Sequence, residues 1–272
     1  MTSIDAVRVR RAHGRPRADA TLTLEHVGRR SVVASAPSGE LVFVTGDATG
    51  LMPGGVTLGA VEFERVRRSV LRRRPGTDLG WNLQRPTAPT SLSIRPTTPE
   101  PAAVLTWLRL LKEWDDQHGS ELFGLADLRR ATADLVASVP DRACGRTVAR
   151  LIGAGPGTTP SGDDLIVGVL AGLWLTDAPA EREALTREVT PLLGRTTRAS
   201  RHFLGHALAG DFAEPVLRLV RALGGHGQVV LPAAALSRWG ATSGVDVMYG
   251  LAAVLAPRNL RGALVDPVER AS

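Results

Sequence analysis

Cysteine is nearly missing from this chain. Cys144 stands alone, which excludes a disulfide framework and a cysteine-based metal cluster. Aromatic residues make up only 4% of the sequence, too few to interleave base-stacking platforms along a nucleic-acid groove. Lysine is almost absent too: Lys112 is the single one among 33 basic residues. The net charge of +6 and the pI of about 10.9 therefore come from arginine. That skew fits a GC-rich genome better than a surface evolved for phosphates. Two arginine clusters, RVRR at 8–11 and RVRRSVLRRR at 65–74, could contact phosphates. Without aromatics beside them they argue against a nucleic-acid partner. No apolar run is long enough to span a bilayer, the best being Leu165 to Leu175. The opening MTSIDAVRVRRAHGRPR lacks the apolar core of a secretory signal. These absences lead to the expectation of a cytoplasmic protein with no membrane partner.

What is present is globular. The chain has 272 residues, of which 43% are hydrophobic, enough for one large domain or two smaller ones with cores of their own. The first part reads as β structure. ATLTLEHV alternates apolar and polar residues, and RRSVVASA and ELVFVTG follow it across the turn signal PSG. A glycine-rich link, GLMPGGVTLG, leads to a further short strand expected over Val56 to Phe63. Six prolines between Pro75 and Pro101 resist both helix and central strand. That stretch reads as an irregular connection holding one short strand at SLSI. Beyond it the period becomes helical. Val104, Leu105, Leu108 and Leu111 share one face, and helical patterning continues through LADLRRATADLVASV, RACGRTVARLIG, AEREALTREVTPLLG, ASRHFLGHALAG and FAEPVLRLVRALGG. The expected class is α+β by segregation. A small, mainly antiparallel β domain with a proline-rich connection (1–98) precedes a larger helical domain with two buried central helices (99–272).

Chemistry concentrates in GPGTTPSGDD at 155–164, directly before LIVGVLAGLWL. The helix expected over Ser161 to Leu175 is apolar on every side, which argues for burial. Gly168 and Gly172, four apart, would let another backbone come close. Ser161 as N-cap would place Asp164 at N3, the two ends of a capping box. Eighty-two residues on, TSGVDVMYGLAAVL repeats the pattern. Ser243-Gly244-Val245-Asp246 echoes Ser161-Gly162-Asp163-Asp164 as S-G-x-D. Gly250, Ala253 and Leu255 fall in step with Gly168, Ala171 and Leu173. The shared context makes an internal structural echo the better reading.

A helix N-terminus offers N–H groups and partial positive charge to an anion. Gly155, Gly157, Thr158 and Thr159 add adaptable backbone and hydroxyl donors. Two such ends facing one cleft would form a polar pocket inside an apolar domain. Caps account for Ser161, Asp164, Ser243 and Asp246 but not for Asp163, whose counterpart is Val245. An acid beside a buried helix start is costly without a partner. Asp163 is therefore the leading functional candidate, as a ligand of a magnesium ion accompanying a phosphate. A dipole-stabilising acid in the first turn is the alternative. On this reading Asp163 has no duty in folding.

GAGPGTTPSGDDLIVG, with the later SGVD and TTRAS, resembles the bacterial AllH-type family of oxamate carbamoyltransferase subunits, from about Gly153 to Leu255. MPGGVTLG at 52–59 matches it loosely. The resemblance implies carbamoyl transfer between carbamoyl phosphate and oxamate in purine (allantoin) nitrogen breakdown, together with partner subunits. It carries over Thr159, Ser161, Gly162, Asp163 and Asp164, then Ser243, Gly244 and Asp246, with Ser161, Asp163 and Asp164 as the catalytic candidates.

Other signals are shorter. Arg195, Thr196, Thr197 and Arg198 in GRTTRAS open a helix and could hold a phosphate. An ordinary helix start with exposed arginines is the alternative. His202 and His206 are spaced to share a metal, but HFLGH lacks the glutamate of the zinc-protease helix and a third ligand. There is no G-x-S-x-G elbow and no Walker-type glycine–lysine motif, which argues against a serine hydrolase or a P-loop nucleotide phosphatase. Three functions stay open: a carbamoyltransferase-like subunit handling a small anion, a scaffold or regulatory subunit, and a small-molecule binding protein without turnover.

Overall fold

The computed structural model describes residues 9–11, 21–80, 90–118, 125–141 and 143–256. Arg8 of the first arginine cluster, most of the N-terminal stretch 1–17 and residues 81–89 of the proline-rich connection lie outside them. The chain forms two compact units, Met1–Ser93 with Asp211–Pro215 and Ile94–Gly210 with Val216–Ser272. A segregated α+β arrangement results.

The first unit is built on a six-stranded sheet. Its strands are β1 (Val9–Arg11), β2 (Thr21–Val27), β3 (Ser31–Ser35), β4 (Leu41–Gly46), β5 (Val56–Leu58) and β6 (Asp78–Gly80), in the order β1-β5-β4-β3-β2-β6. Neighbours are antiparallel except β4 and β5, which run parallel with Val44 opposite Val56. Leu22 and Leu24 of β2 are each 1% exposed while Thr23 between them is partly exposed, as the two-residue period of a half-buried strand requires. β4 is buried along its whole length.

Two local expectations fail here. The strand expected over Val56 to Phe63 ends at Leu58, and α1 (Ala60–Val70) begins after Gly59. Phe63, Val66 and Val70 fall on one helical face and are buried, so a 3.6-residue period takes over where a strand period was read. They complete the sheet's core with Leu22, Val32, Val44 and Leu58. The strand expected at SLSI is reduced to a single bridge, Ser93 to Asp211, where Ser93 Oγ also donates to Asp211 Oδ1 at 2.6 Å.

The second unit is helical. It holds α2 (Pro101–His118), α3 (Leu125–Ser138), α4 (Gly145–Leu151), α5 (Ser161–Leu175), α6 (Pro179–Val189), a 3-10 helix (Thr190–Arg195) and α7 (Arg198–Leu208). α8 (Glu214–Leu223), α9 (Val230–Ser237) and α10 (Ser243–Leu255) follow. α5 is buried at every residue but Trp174, and α10 is buried from Ser243 to Ala252. Around this pair pack α3, α4, α6, α7 and α9. Helices without a polar face are stable only with such cover on all sides.

Candidate functional site

The first turn of α5 is not a capping box. Pro160 occupies the N-cap with φ −54° and ψ 140°, and no side chain caps the helix. Ser161 is already helical, so its hydroxyl cannot reach back to the N–H of N3. The backbone satisfies itself instead. The Pro160 carbonyl accepts from Asp163 and Asp164, and Gly162 N–H donates to the Ala154 carbonyl at 2.8 Å. α10 starts the same way: the Thr242 carbonyl accepts from Val245 and Asp246, and Gly244 N–H donates to the Trp239 carbonyl at 2.9 Å. The backbone N–H groups of Ser161 and Ser243 take no part in these bonds. A Cβ on Gly162 would collide with the Leu151 carbonyl, and one on Gly244 with the Leu236 carbonyl. These glycines, expected to bind substrate, serve close packing against the preceding helix.

The sequence echo is a spatial one. A Cβ on Gly168 would lie 2.9 Å from Gly250 Cα, one on Gly250 would lie 2.9 Å from Val169 N, and one on Gly172 would lie 2.7 Å from Val254 Cβ. Each pairing joins residue i to its counterpart 82 positions on, or that counterpart's neighbour, so α5 and α10 run parallel with their starts at one end. There the side chains cross over. The Ser243 hydroxyl faces Asp164, and the Ser161 and Thr242 hydroxyls face Asp246. Thr159 Oγ1 meets Ser243 Oγ at 2.8 Å. The result is a buried polar seam rather than an open cleft: Ser161, Asp164, Ser243 and Asp246 are between 0% and 9% exposed.

The seam is short of donors. Asp164 Oδ2 and both oxygens of Asp246 complete no hydrogen bond. The facing hydroxyls are near enough to affect these acids but not aligned to satisfy them. Burial pushes the Asp164 carboxyl well above the usual carboxylate range, and the charges of Asp246 and Asp163 act in the same direction. Burial raises Asp246 to about 6, opposed by the Ser161 and Thr242 hydroxyls and by the Arg129 charge. Arg129 of α3 lies with its guanidinium 3.5 Å from the centre of the Tyr249 ring. Arg129 lies outside the motifs, and Tyr249 lies inside the second one without being singled out. An arginine in the helical pattern LADLRRATADLVASV carries no local signal of burial, and a tyrosine in an apolar helix carries no local signal of a charged partner.

Asp163, expected to lack partners, is the best satisfied of the three acids. Its Oδ1 accepts from Gly153 N–H at 2.9 Å, and its Oδ2 accepts a short bond from Thr196 Oγ1. Gly153 has φ +74°, and a Cβ there would lie 2.9 Å from the Arg195 carbonyl, so only glycine fits between the two segments that Asp163 joins. Both Asp163 oxygens thus join parts of the fold, a duty that the sequence reading did not assign to it. No cluster of three or more His, Cys, Asp or Glu side chains suited to a metal forms among the described residues. His202 and His206 do come together, with ring centres 4.6 Å apart.

The α7 start completes the constellation. Thr197 caps α7 by accepting from Ser200 N–H at 3.1 Å and donates to the Thr158 carbonyl at 2.6 Å. The loop from Gly153 to Pro160 is thus held at the start of α7 through Thr197 and at the start of α10 through Ser243, while Thr196 reaches Asp163, the acid that also binds Gly153. Three helix N-termini converge on it. Gly155, Gly157 and Thr158 are exposed on its outer side, as are Arg195 and Arg198 nearby in sequence to Thr197. A Cβ on Gly157 would meet nothing within 4 Å, while one on Gly155 would lie 2.9 Å from Ser161 N.

No solved structure matches the chain. Residues 151–255, which run from the end of α4 through the glycine loop and both S-G-x-D helices, match the family model described as oxamate carbamoyltransferase subunit AllH, the family that the motifs resemble.

Proposed function

We propose that this chain is a subunit of a carbamoyltransferase of the oxamate type, holding a small anionic substrate where the starts of α5, α7 and α10 converge. The observation that carries the reading is the double tether of the glycine loop, Thr158 to Thr197 and Thr159 to Ser243, inside the segment matched by the AllH family. Partial positive charge from three helix ends falls on one exposed loop, and Arg195 and Arg198 add full charges.

In transfer from carbamoyl phosphate, the acceptor nitrogen forms a bond to the carbamoyl carbon. The carbon–oxygen bond to phosphate breaks, phosphate leaves with that electron pair, and the nitrogen loses a proton. A carboxylate with a raised pKa suits that proton. Asp246 and Asp164, both with unsatisfied oxygens but closed within the seam, are the candidates for it, and the reading requires that assembly with partner subunits open the seam to the substrate.

The test is thermal unfolding in phosphate, sulfate or carbamoyl phosphate against chloride at matched ionic strength. A ligand at a hundred times its dissociation constant stabilises by ~2.7 kcal/mol. The expected result is a shift in the wild type that disappears in the double variant Thr197→Ala, Arg198→Ala. Equal shifts in both proteins would sink the anion site.

A second reading, a scaffold or regulatory subunit, draws support from Asp163, whose two oxygens both serve the fold. It predicts that Asp164→Asn and Asp246→Asn leave transfer by the reconstituted assembly at the wild-type rate. The first reading predicts loss of activity from at least one of them, with partner binding retained.

A further inference from the structure

The segment that closes the seam has little holding it. Its ends are fixed: Gly153 by Asp163, the Ala154 carbonyl by Gly162, and Pro160 as the N-cap of α5. Between them, residues 155–159 make no backbone-to-backbone hydrogen bond among the described residues. Gly155, Pro156, Gly157 and Thr158 are exposed. Two hydroxyl bonds tie the segment down, Thr197 Oγ1 to the Thr158 carbonyl at 2.6 Å and Thr159 Oγ1 to Ser243 Oγ at 2.8 Å. A stretch with so few buried contacts lies at the low end of local stability. Its backbone also suits a pivot. Gly155 has φ +111° and Gly157 has φ +95°, the region that glycine enters without steric cost, and the ring of Pro156 stiffens the link between them.

Beneath this segment lies chemistry that the fold leaves unused. Thr159 is partly buried, and its hydroxyl and that of Ser243 sit beside Asp164. Asp164 is 3% exposed, and its Oδ2 completes no hydrogen bond. The backbone at Gly155 rests on the start of α5, where an added Cβ would lie 2.9 Å from Ser161 N. An anion at that helix start would use the same N–H. Asp246 lies instead beside the Ser161 and Thr242 hydroxyls.

We propose that residues 155–159 form a flap, closed over Asp164 and the start of α5 in the free chain and swung out on Gly155 and Gly157 to admit a small anionic substrate. Short hinged segments of this kind gate many binding sites. Opening lifts Thr159 away from Ser243 and brings water to Asp164, so Asp164 rather than Asp246 is the acid that a substrate reaches first. The use of the flap rests on the functional reading above, whereas its motion does not. Assembly with partner subunits acts by favouring the open position.

Carboxyl labelling of the full chain by a water-soluble carbodiimide and glycinamide tests the motion. It is run in chloride and read residue by residue by mass spectrometry, with Asp246 as the reporter of global unfolding. Asp164 is expected to label faster than Asp246. Thr159→Val removes one tether, and Gly157→Ala strains the closed backbone alone. Each should speed labelling of Asp164 by roughly three- to tenfold and leave Asp246 unchanged. Thr159→Cys with Ser243→Cys, oxidised to a disulfide, should protect Asp164 until the bond is reduced. The two single variants decide the matter if that bond does not form. Equal labelling of Asp164 and Asp246 in the wild type and both single variants overturns the flap, as does an oxidised protein that labels at Asp164 as fast as the reduced one. Stabilisation by phosphate is measured separately. If it is equal in the oxidised and reduced proteins, the anion site stands and the flap falls. If it is absent while Asp164 labels as expected, the flap stands and the functional reading falls.

Discussion

Asp163 and Asp164 are neighbours on one helix turn and live in opposite conditions. Asp163 joins Gly153 to Thr196, while Asp164 faces a second acid with one oxygen unsatisfied. Asp163→Ala should therefore lower stability by roughly 2–4 kcal/mol, since hydrogen bonds to a charged group are worth about 1.5–3 kcal/mol each. Chemical denaturation of the variant checks it, and a loss below about 1 kcal/mol would mean that the two bonds are not jointly formed. Sequence reasoning assigned these acids the other way round, for an identifiable reason. Aligning S-G-D-D with S-G-V-D marks Asp163 as the surplus acid, because Val245 stands in its place. The alignment was sound, and it showed that Ser161 and Ser243 are equivalent. It could not show that a partner of Asp163 is a hydroxyl 33 residues away, or that each serine faces the other helix's aspartate rather than capping its own helix.

At the scale of elements, the contact between α5 and α10 depends on what is missing from Gly168 and Gly250. A Cβ on Gly250 would strike the Leu165 carbonyl and lie 2.9 Å from Val169 N, and backbone cannot step aside as a flexible side chain can. Gly250→Ala should separate the helices and lower stability by about 3 kcal/mol or more. Gly205, inside α7, has nothing within 4 Å of an added Cβ. Gly205→Ala should raise stability by about 0.5–1 kcal/mol through helix propensity. The pair of variants separates close packing from backbone freedom, and destabilisation of similar size in both would remove packing as the explanation. The approach of a backbone to α5 was legible in the sequence, from two glycines four apart on an apolar helix. α1 was not, because Val56 to Leu58 is a strand and its apolar residues blend into Val61 and Phe63. Only Gly59 marks the change of period, and a single glycine does not say which element follows it.

For the molecule as a whole, the buried acids set a pH dependence. Asp246 sits near 6 in the folded chain against an ordinary 3.8, and Asp164 is displaced in the same direction. The folded state then holds protons that the unfolded state has released. Stability is full below about 3.8 and falls as pH rises through about 6. For Asp246 the fall is on the order of 2–3 kcal/mol, at about 1.4 kcal/mol per pH unit of displacement. Denaturation curves between pH 4 and 7.5 should show Asp246→Asn losing less stability than the wild type over that window; parallel curves would contradict a buried, displaced carboxyl. A second whole-molecule feature lay beyond any local pattern. The sheet-bearing unit takes back Asp211 to Pro215 late in the chain. There Phe212 N–H donates to the Leu92 carbonyl, Glu214 N–H to the Leu51 carbonyl, and Leu51 N–H to Glu214 Oε2 at 2.8 Å. Ser93 and Asp211, joined across this return, are 118 positions apart. A chain leaving the ribosome has therefore released most of its helical portion before its N-terminal unit can close, and a fragment cut at Ser93 would expose the ends that the return segment covers.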